Sequence, residues 1–137
     1  MYGNSGCILK VDLSTGEITK ELYDESVARM FLGGNGLAAK LMHDSVPFTA
    51  DPLGPENAIV FSVGPLTDTP LWGTSRGHVA SISPLTGIFA DSNYGGQFGT
   101  AQKRAGFDAI VITGISSNPV YLSITEAGGQ LHDASHL

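Results

Sequence analysis

The chain has 137 residues, of which 42% are hydrophobic and 15% charged, with a net charge of −6 and a pI near 4.9. That length suits one domain or part of a larger one, and the acidic balance argues against nucleic acid or an anionic membrane surface as a partner. The single cysteine, Cys7, excludes a disulfide framework and any all-cysteine iron–sulfur or zinc site held by this chain alone.

Residues 6–12 and 17–22 alternate apolar and polar around Ser14-Thr15-Gly16, which predicts a hairpin. Cys7 falls in its first strand and reads as a small core residue. Asp24 is a good N-cap for a helix running to about Phe31. Gly33-Gly34-Asn35-Gly36 interrupts, and the pattern from Leu37 to about His43 is helical again. Glycines at a helix start have two readings. They leave backbone N–H groups open to an anion, or they let two packed helices bend sharply. The run Asp51-Pro-Leu-Gly-Pro-Glu-Asn57 is a turn-rich connection, and Ala58 to Val63 is a buried strand.

The stretch from Gly64 to Gly99 is the centre of the pattern. It holds seven glycines, three prolines and one basic residue, Arg76. Trp72, in the polar loop 67–75, reads first as a lid over the core and second as a cofactor contact. Segments 76–83 and 88–91 read as strands, followed by the loop Ser92-Asn93-Tyr94-Gly95-Gly96 and a helix from about Gln97 to Ala105. Strand, small-residue turn and helix start together present several backbone N–H groups at one point, which suits a phosphate. Tight packing around Gly95-Gly96 is the competing reading, since neither a G-x-x-x-x-G-K-[ST] loop nor a G-x-G-x-x-G turn is present. An acidic chain must hold an anion by local means: backbone N–H groups, one arginine or a bridging cation. Phe107 to Thr113 and Val120 to Thr125 read as strands, with a turn at Gly128-Gly129 leading to Leu131. This open hairpin at the end of the sequence suggests a piece completed by further chain, and its unpaired edges suggest self-association.

His43, His78, His132 and His136 show no metal-ligand spacing. Asp51, Asp68 and Asp91 read as isolated turn residues. Neither a nucleophile–base pair nor a carboxylate pair is legible, so no catalytic residue is assigned. Met1-Tyr2-Gly3-Asn4 runs straight into a strand, without a signal sequence, and no apolar run approaches the ~20 residues of a membrane span. A cytoplasmic protein with its native N-terminus is expected.

Several motifs occur together, in order: Met-Tyr-Gly-Asn, Asp-Leu-Ser-Thr-Gly, Gly-Gly-Asn-Gly-Leu-Ala, Asp-Pro-Leu-Gly-Pro-Glu-Asn and Gly-Pro-Leu-Thr. Ser-Pro-Leu-Thr-Gly, Ser-Asn-Tyr-Gly-Gly, Ala-Gly-Phe-Asp-Ala-Ile and Pro-Val-Tyr-Leu follow. Over nearly the whole chain this series resembles the N-terminal domain of aldehyde ferredoxin oxidoreductases, tungsten enzymes with a bis-pterin cofactor and a [4Fe-4S] cluster. The resemblance implies an α+β fold of two related β/α halves, the second truncated, with residues 1–137 as the base on which tungstopterin sits. It implies that Arg76 lies near the pterin phosphates. It implies that the Asn93 backbone carbonyl helps hold a Mg²⁺ between them, with Tyr94, Gly95 and Gly96 continuing that loop. If only its carbonyl acts, Asn93 is expected at positive φ, which Asn tolerates. Asn35 departs from the basic residue often found in the family at that turn.

By the same resemblance, the cluster ligands and catalytic residues lie in later domains, and this chain alone is inactive. The complete enzyme would oxidise an aldehyde to a carboxylic acid, carry tungsten or molybdenum, pass two electrons to ferredoxin and form a homo-oligomer. The residues themselves leave two other classes open: a stand-alone anion- or nucleotide-binding module, and a structural or interaction domain without catalysis.

Overall fold

The computed structural model describes residues 3–137; Met1 and Tyr2, which open the first motif, lie outside the described residues. Cys7–Asp12 (β1) and Ile18–Leu22 (β2) pair antiparallel, as the alternation predicts. Asp24 caps Glu25–Phe31 (α1), its carboxylate accepting from the Ser26 and Val27 N–H groups at 2.9 and 3.1 Å. The second helix, Gly34–Ser45 (α2), is longer than the sequence pattern suggests. Gly34, Asn35 and Gly36 form its first turn instead of an interruption before it. Ala58–Val63 (β3), Gly77–Ile82 (β4) and Phe89–Tyr94 (β5) follow, then Phe98–Arg104 (α3), Ala109–Thr113 (β6), Val120–Thr125 (β7) and Gly128–Asp133 (β8). Gly128 and Gly129 are strand residues, so the turn of the last hairpin falls at Glu126-Ala127.

Six strands form one mixed sheet in the order β2-β1-β6-β3-β4-β5. Among the described residues only β1 and β6 run parallel, with Ile8 opposite Ala109. β6 lies inside the sheet, and its Ala109, Ile110 and Val111 are all buried, as an unbroken apolar run requires. The hairpin β7–β8 is a separate two-stranded sheet. The chain is thus α+β.

Period-two alternation gives the large sheet two apolar faces. On one, α2 lays down Leu37, Ala38, Leu41 and Met42 against Ile8, Val60 and Val111. Burying each of these leucine and methionine side chains is worth ~1.5–3 kcal/mol. On the other face, Leu9, Val11, Phe107 and Ile110 meet Leu122, Ile124 and Leu131 of the β7–β8 hairpin.

One buried carboxylate ties the layers together. Asp108 is fully buried; it accepts from the Gly6 N–H at 2.7 Å, from the Tyr23 hydroxyl at 2.8 Å and from the Lys103 ammonium. It links the lead into β1, the β2–α1 junction and the last turn of α3. Burial first, then the bond to Asp108, pushes the Tyr23 phenol far above its usual range.

Candidate functional site

The carboxyl end of β3, the amino end of β4 and the carboxyl end of β5 come together, because β4 runs antiparallel to both neighbours. The loop 64–76 and the turn at Gly95-Gly96 therefore meet at one end of the sheet. Between them is a cleft of about 350 Å³ lined by Gly73, Ser75, Arg76, Gly95 and Gly96. Arg76, Gly95 and Gly96, assigned together from sequence, are thus together in space.

The charge balance singles out Arg76. Lys10, Arg29, Lys40, Lys103 and Arg104 each pair with a carboxylate. Lys20 donates to the Glu126 carbonyl at 3.0 Å and lies over the Phe107 ring. Arg76 is exposed and is the one basic residue without an ion pair or hydrogen bond among the described residues. In an acidic chain, that is an uncommitted cation beside two glycine-bearing turns.

The glycines facing the cleft differ in their reasons for being glycine. Gly73 and Gly96 have φ of +73° and +76°, a conformation that disfavours a side chain. Gly95 has no positive φ, and a Cβ built on it meets nothing within 4 Å. Neither backbone strain nor packing within the chain asks for glycine there. Its bare backbone leaves room for a group outside the chain.

The other candidate cradle is different. Gly33 and Gly34 have φ of +140° and +53°. A Cβ would come within 3.0 Å of the Val63 carbonyl oxygen at Gly33, 2.9 Å of His78 Cδ2 at Gly34 and 2.3 Å of the Phe31 carbonyl oxygen at Gly36. These glycines serve the tight bend from α1 into α2.

Asn93 and Tyr94 correct two expectations. Both are the last residues of β5 rather than loop residues, because the β4–β5 ladder continues to the pair Gly77–Tyr94. Asn93 lies opposite His78, and its φ is not positive; among the described non-glycine residues only Leu32 and Asp68 have positive φ. The side chain of Asn93 projects to the α2 face of the sheet, since it alternates with Tyr94. The Tyr94 ring packs over Gly77, edge-on to Phe61 and Phe98 at 6.1 and 5.5 Å, so the ring is an anchor and only its backbone leads into the cleft. Burial pushes its phenol up to about 12.

Other expectations also change. Trp72 is 98% exposed and covers no core. Asp91 is in β5, not a turn. Asp68 is ion-paired: Arg104 Nε donates to its two carboxylate oxygens at 3.1 and 3.0 Å, and Nη2 donates to one of them at 2.9 Å. That bond holds the Asp68 carboxyl below its usual range. Ser75 and Gly73 belong to the cleft although no sequence signal marked them; only their closeness to Arg76 could have.

The remaining hollows have other chemistry. One of about 450 Å³ is lined by residues such as Leu53, Ile59, Val79 and Ile112 and has no charged side chain. Burial pushes the half-buried Cys7 thiol up, away from the reactive thiolate. The described residues contain no group of three or more His, Cys, Asp or Glu placed to hold a metal, and no helix long and apolar enough to cross a membrane.

Comparison with known proteins adds independent findings. The family profile described as "Aldehyde ferredoxin oxidoreductase, N-terminal domain" matches residues 8–137. A tungsten-containing aldehyde ferredoxin oxidoreductase of Pyrococcus furiosus is 45% identical over 137 residues, covering 100% of this chain and 23% of that protein. Its counterpart in Thermococcus kodakarensis is 47% identical over 137 residues, with the same coverage. The chain thus spans about a quarter of the length of these relatives. Among solved structures, the active-site complex BamBC of benzoyl coenzyme A reductase with 1,5-dienoyl-CoA is similar at a TM-score of 0.95 and 38% identity. The match covers 98% of this chain and 21% of that one.

Proposed function

The chain belongs to the aldehyde ferredoxin oxidoreductase family, as its N-terminal domain, and from that premise we propose that it is the cofactor-binding base of a tungsten oxidoreductase acting on aldehydes. The observation that supports this most is the uncommitted Arg76 facing the bare backbone of Gly95 across the cleft. The tungstopterin of the family supplies the redox chemistry when bound. This chain binds and orients it. Arg76 supplies a charge-assisted hydrogen bond to a phosphate, and the N–H groups around Gly95 and Gly96 supply further donors. The unfilled space before Gly73, Gly95 and Gly96 fits a phosphate. One half-buried cysteine does not fit a [4Fe-4S] cluster, which other domains would ligate.

In this reading the Asn93 carbonyl would serve as a ligand to a Mg²⁺ accompanying the phosphates. β5 is the outermost strand of its sheet, so alternate carbonyls along it are left free of the ladder. Tyr94 fixes the approach of the chain to Gly95. The partners are the remaining domains of the same polypeptide, ferredoxin, the aldehyde and a second copy, in the cytoplasm. A stand-alone binding module is the less favoured reading, because every relative above carries this domain within a much longer chain.

The test is the full-length polypeptide. Stoichiometric tungsten and pterin, with aldehyde-dependent reduction of ferredoxin, are expected. Tungsten and pterin without aldehyde activity would move the substrate class and keep the cofactor role. A preparation lacking both after growth on tungstate and molybdate would remove the proposal.

A further inference from the structure

The cleft loop 64–76 is mostly bonded to itself. Thr67 N–H donates to the Gly64 carbonyl at 3.1 Å, Thr69 Oγ1 to the Leu66 carbonyl at 2.7 Å and Thr74 Oγ1 to the Leu71 carbonyl at 2.9 Å. Among the described residues, the only hydrogen bonds from this loop to another element are those between Asp68 and Arg104. Asp68 sits at φ +63°; its carboxylate reaches Arg104, and its own N–H donates to Ser75 Oγ at 3.2 Å. Ser75 and Arg76 form one wall of the cleft. The other wall, Gly95-Gly96, leads through Gln97 into α3, and Arg104 is the last residue of α3. The pair therefore closes a ring of chain from residue 68 to residue 104, and the cleft lies inside it.

We propose that Arg104 is a positioning residue for this cleft: by holding Asp68 it fixes the loop that carries Ser75 and Arg76 at a set distance from Gly95 and Gly96, and so sets the affinity for a phosphate-bearing ligand. The inference rests on reading the cleft as an anion site. Arg104 is 70% exposed and Asp68 27%, so the pair adds little to global stability. Its effect is local. A loop released from the pair occupies the binding position for only part of the time, and apparent affinity falls by that fraction.

Trp72 reports on the loop directly, being the single tryptophan of the chain, exposed and inside the same loop. The experiment uses the 137-residue chain, in which Trp72 is the single tryptophan, with magnesium pyrophosphate titrated calorimetrically and Trp72 anisotropy and acrylamide quenching read in parallel. Arg104→Gln is expected to lower Trp72 anisotropy and weaken pyrophosphate roughly three- to tenfold, with the melting temperature moved by no more than about 2 °C. Arg104→Lys, which keeps the charge but not the fork, should restore part of the affinity. Arg76→Ala should weaken pyrophosphate without changing Trp72 anisotropy. Unchanged affinity in Arg104→Gln alongside weakened binding in Arg76→Ala overturns the positioning role alone. So does an affinity loss in Arg104→Gln matched by general unfolding, or no rescue by Lys. No pyrophosphate binding by the unsubstituted chain, or equal binding by Arg76→Ala, overturns the anion reading and the positioning role with it.

Discussion

Two glycine turns lie at the same end of this sheet, each just before or within the first turn of a helix, and they do opposite things. At Gly33–Gly36 the glycines are surrounded: a Cβ at Gly36 would lie 2.3 Å from the Phe31 carbonyl oxygen. At Gly95-Gly96 a Cβ meets nothing within 4 Å. The first turn spends its missing side chains on contact between α1, α2 and the sheet. The second leaves its backbone bare toward a cleft with a free arginine. A glycine pair before a helix therefore carries no function by itself; what occupies the space in front of it decides.

The largest effect is expected at the first turn. Gly36→Ala should destabilise the chain by about 2–3 kcal/mol, as overpacking against rigid backbone does, read by urea unfolding. A melting curve like that of the unsubstituted chain would mean the bend is not contact-limited. The second turn should respond in binding and not in stability. In the full-length enzyme, Arg76→Ala should weaken cofactor retention about ten- to a hundredfold, the worth of a charge-assisted hydrogen bond. Gly95→Ala should also lower pterin per protein, by crowding the phosphate, while stability stays within about 0.5 kcal/mol. If Gly95→Ala lowers stability as Gly36→Ala does, the two turns are alike and the comparison fails.

A smaller effect concerns how the second turn is fastened. Its packing is supplied by Tyr94, whose ring fills the groove at Gly77, rather than by the glycines. Burial favours the neutral phenol and raises its pKa to about 12 in the folded chain, from the usual 10. The associated stability is complete below pH 10 and is lost as pH rises through about 12. Tyr94→Phe should flatten the stability profile across that window, and an unchanged slope would place the phenol in water. Tyr23, pushed up further by burial and Asp108, contributes above it.

The smallest expected effect is at Asn93. Its backbone is that of a strand, so Asn93→Val suits the conformation. If its carbonyl is what serves the Mg²⁺, pterin and magnesium content should be unchanged in the full-length enzyme. A drop to the level of Arg76→Ala would make the side-chain amide the anchor.

Local pattern alone was enough for most of the fold. The alternation around Ser14-Thr15-Gly16, the Asp24 cap and the apolar runs at 58–63 and 107–113 specify their elements from neighbours in sequence, and the structure has them there, the last starting at Ala109. The motif series was enough for the family. That Arg76, Gly95 and Gly96 lie together was also legible, because one basic residue and a glycine pair flank two strands. What pairing across the sheet decides was not legible. β5 runs on to Tyr94 because β4 offers a partner as far as Gly77, whereas Ser92-Asn93-Tyr94 read alone looks like a loop. Asp68 and Arg104 are 36 residues apart, and only the fold of the chain between them brings carboxylate to guanidinium. The same holds for the two glycine turns. Whether a glycine's missing side chain makes way for the protein or for something else depends on atoms distant in sequence, and only the tertiary structure places them.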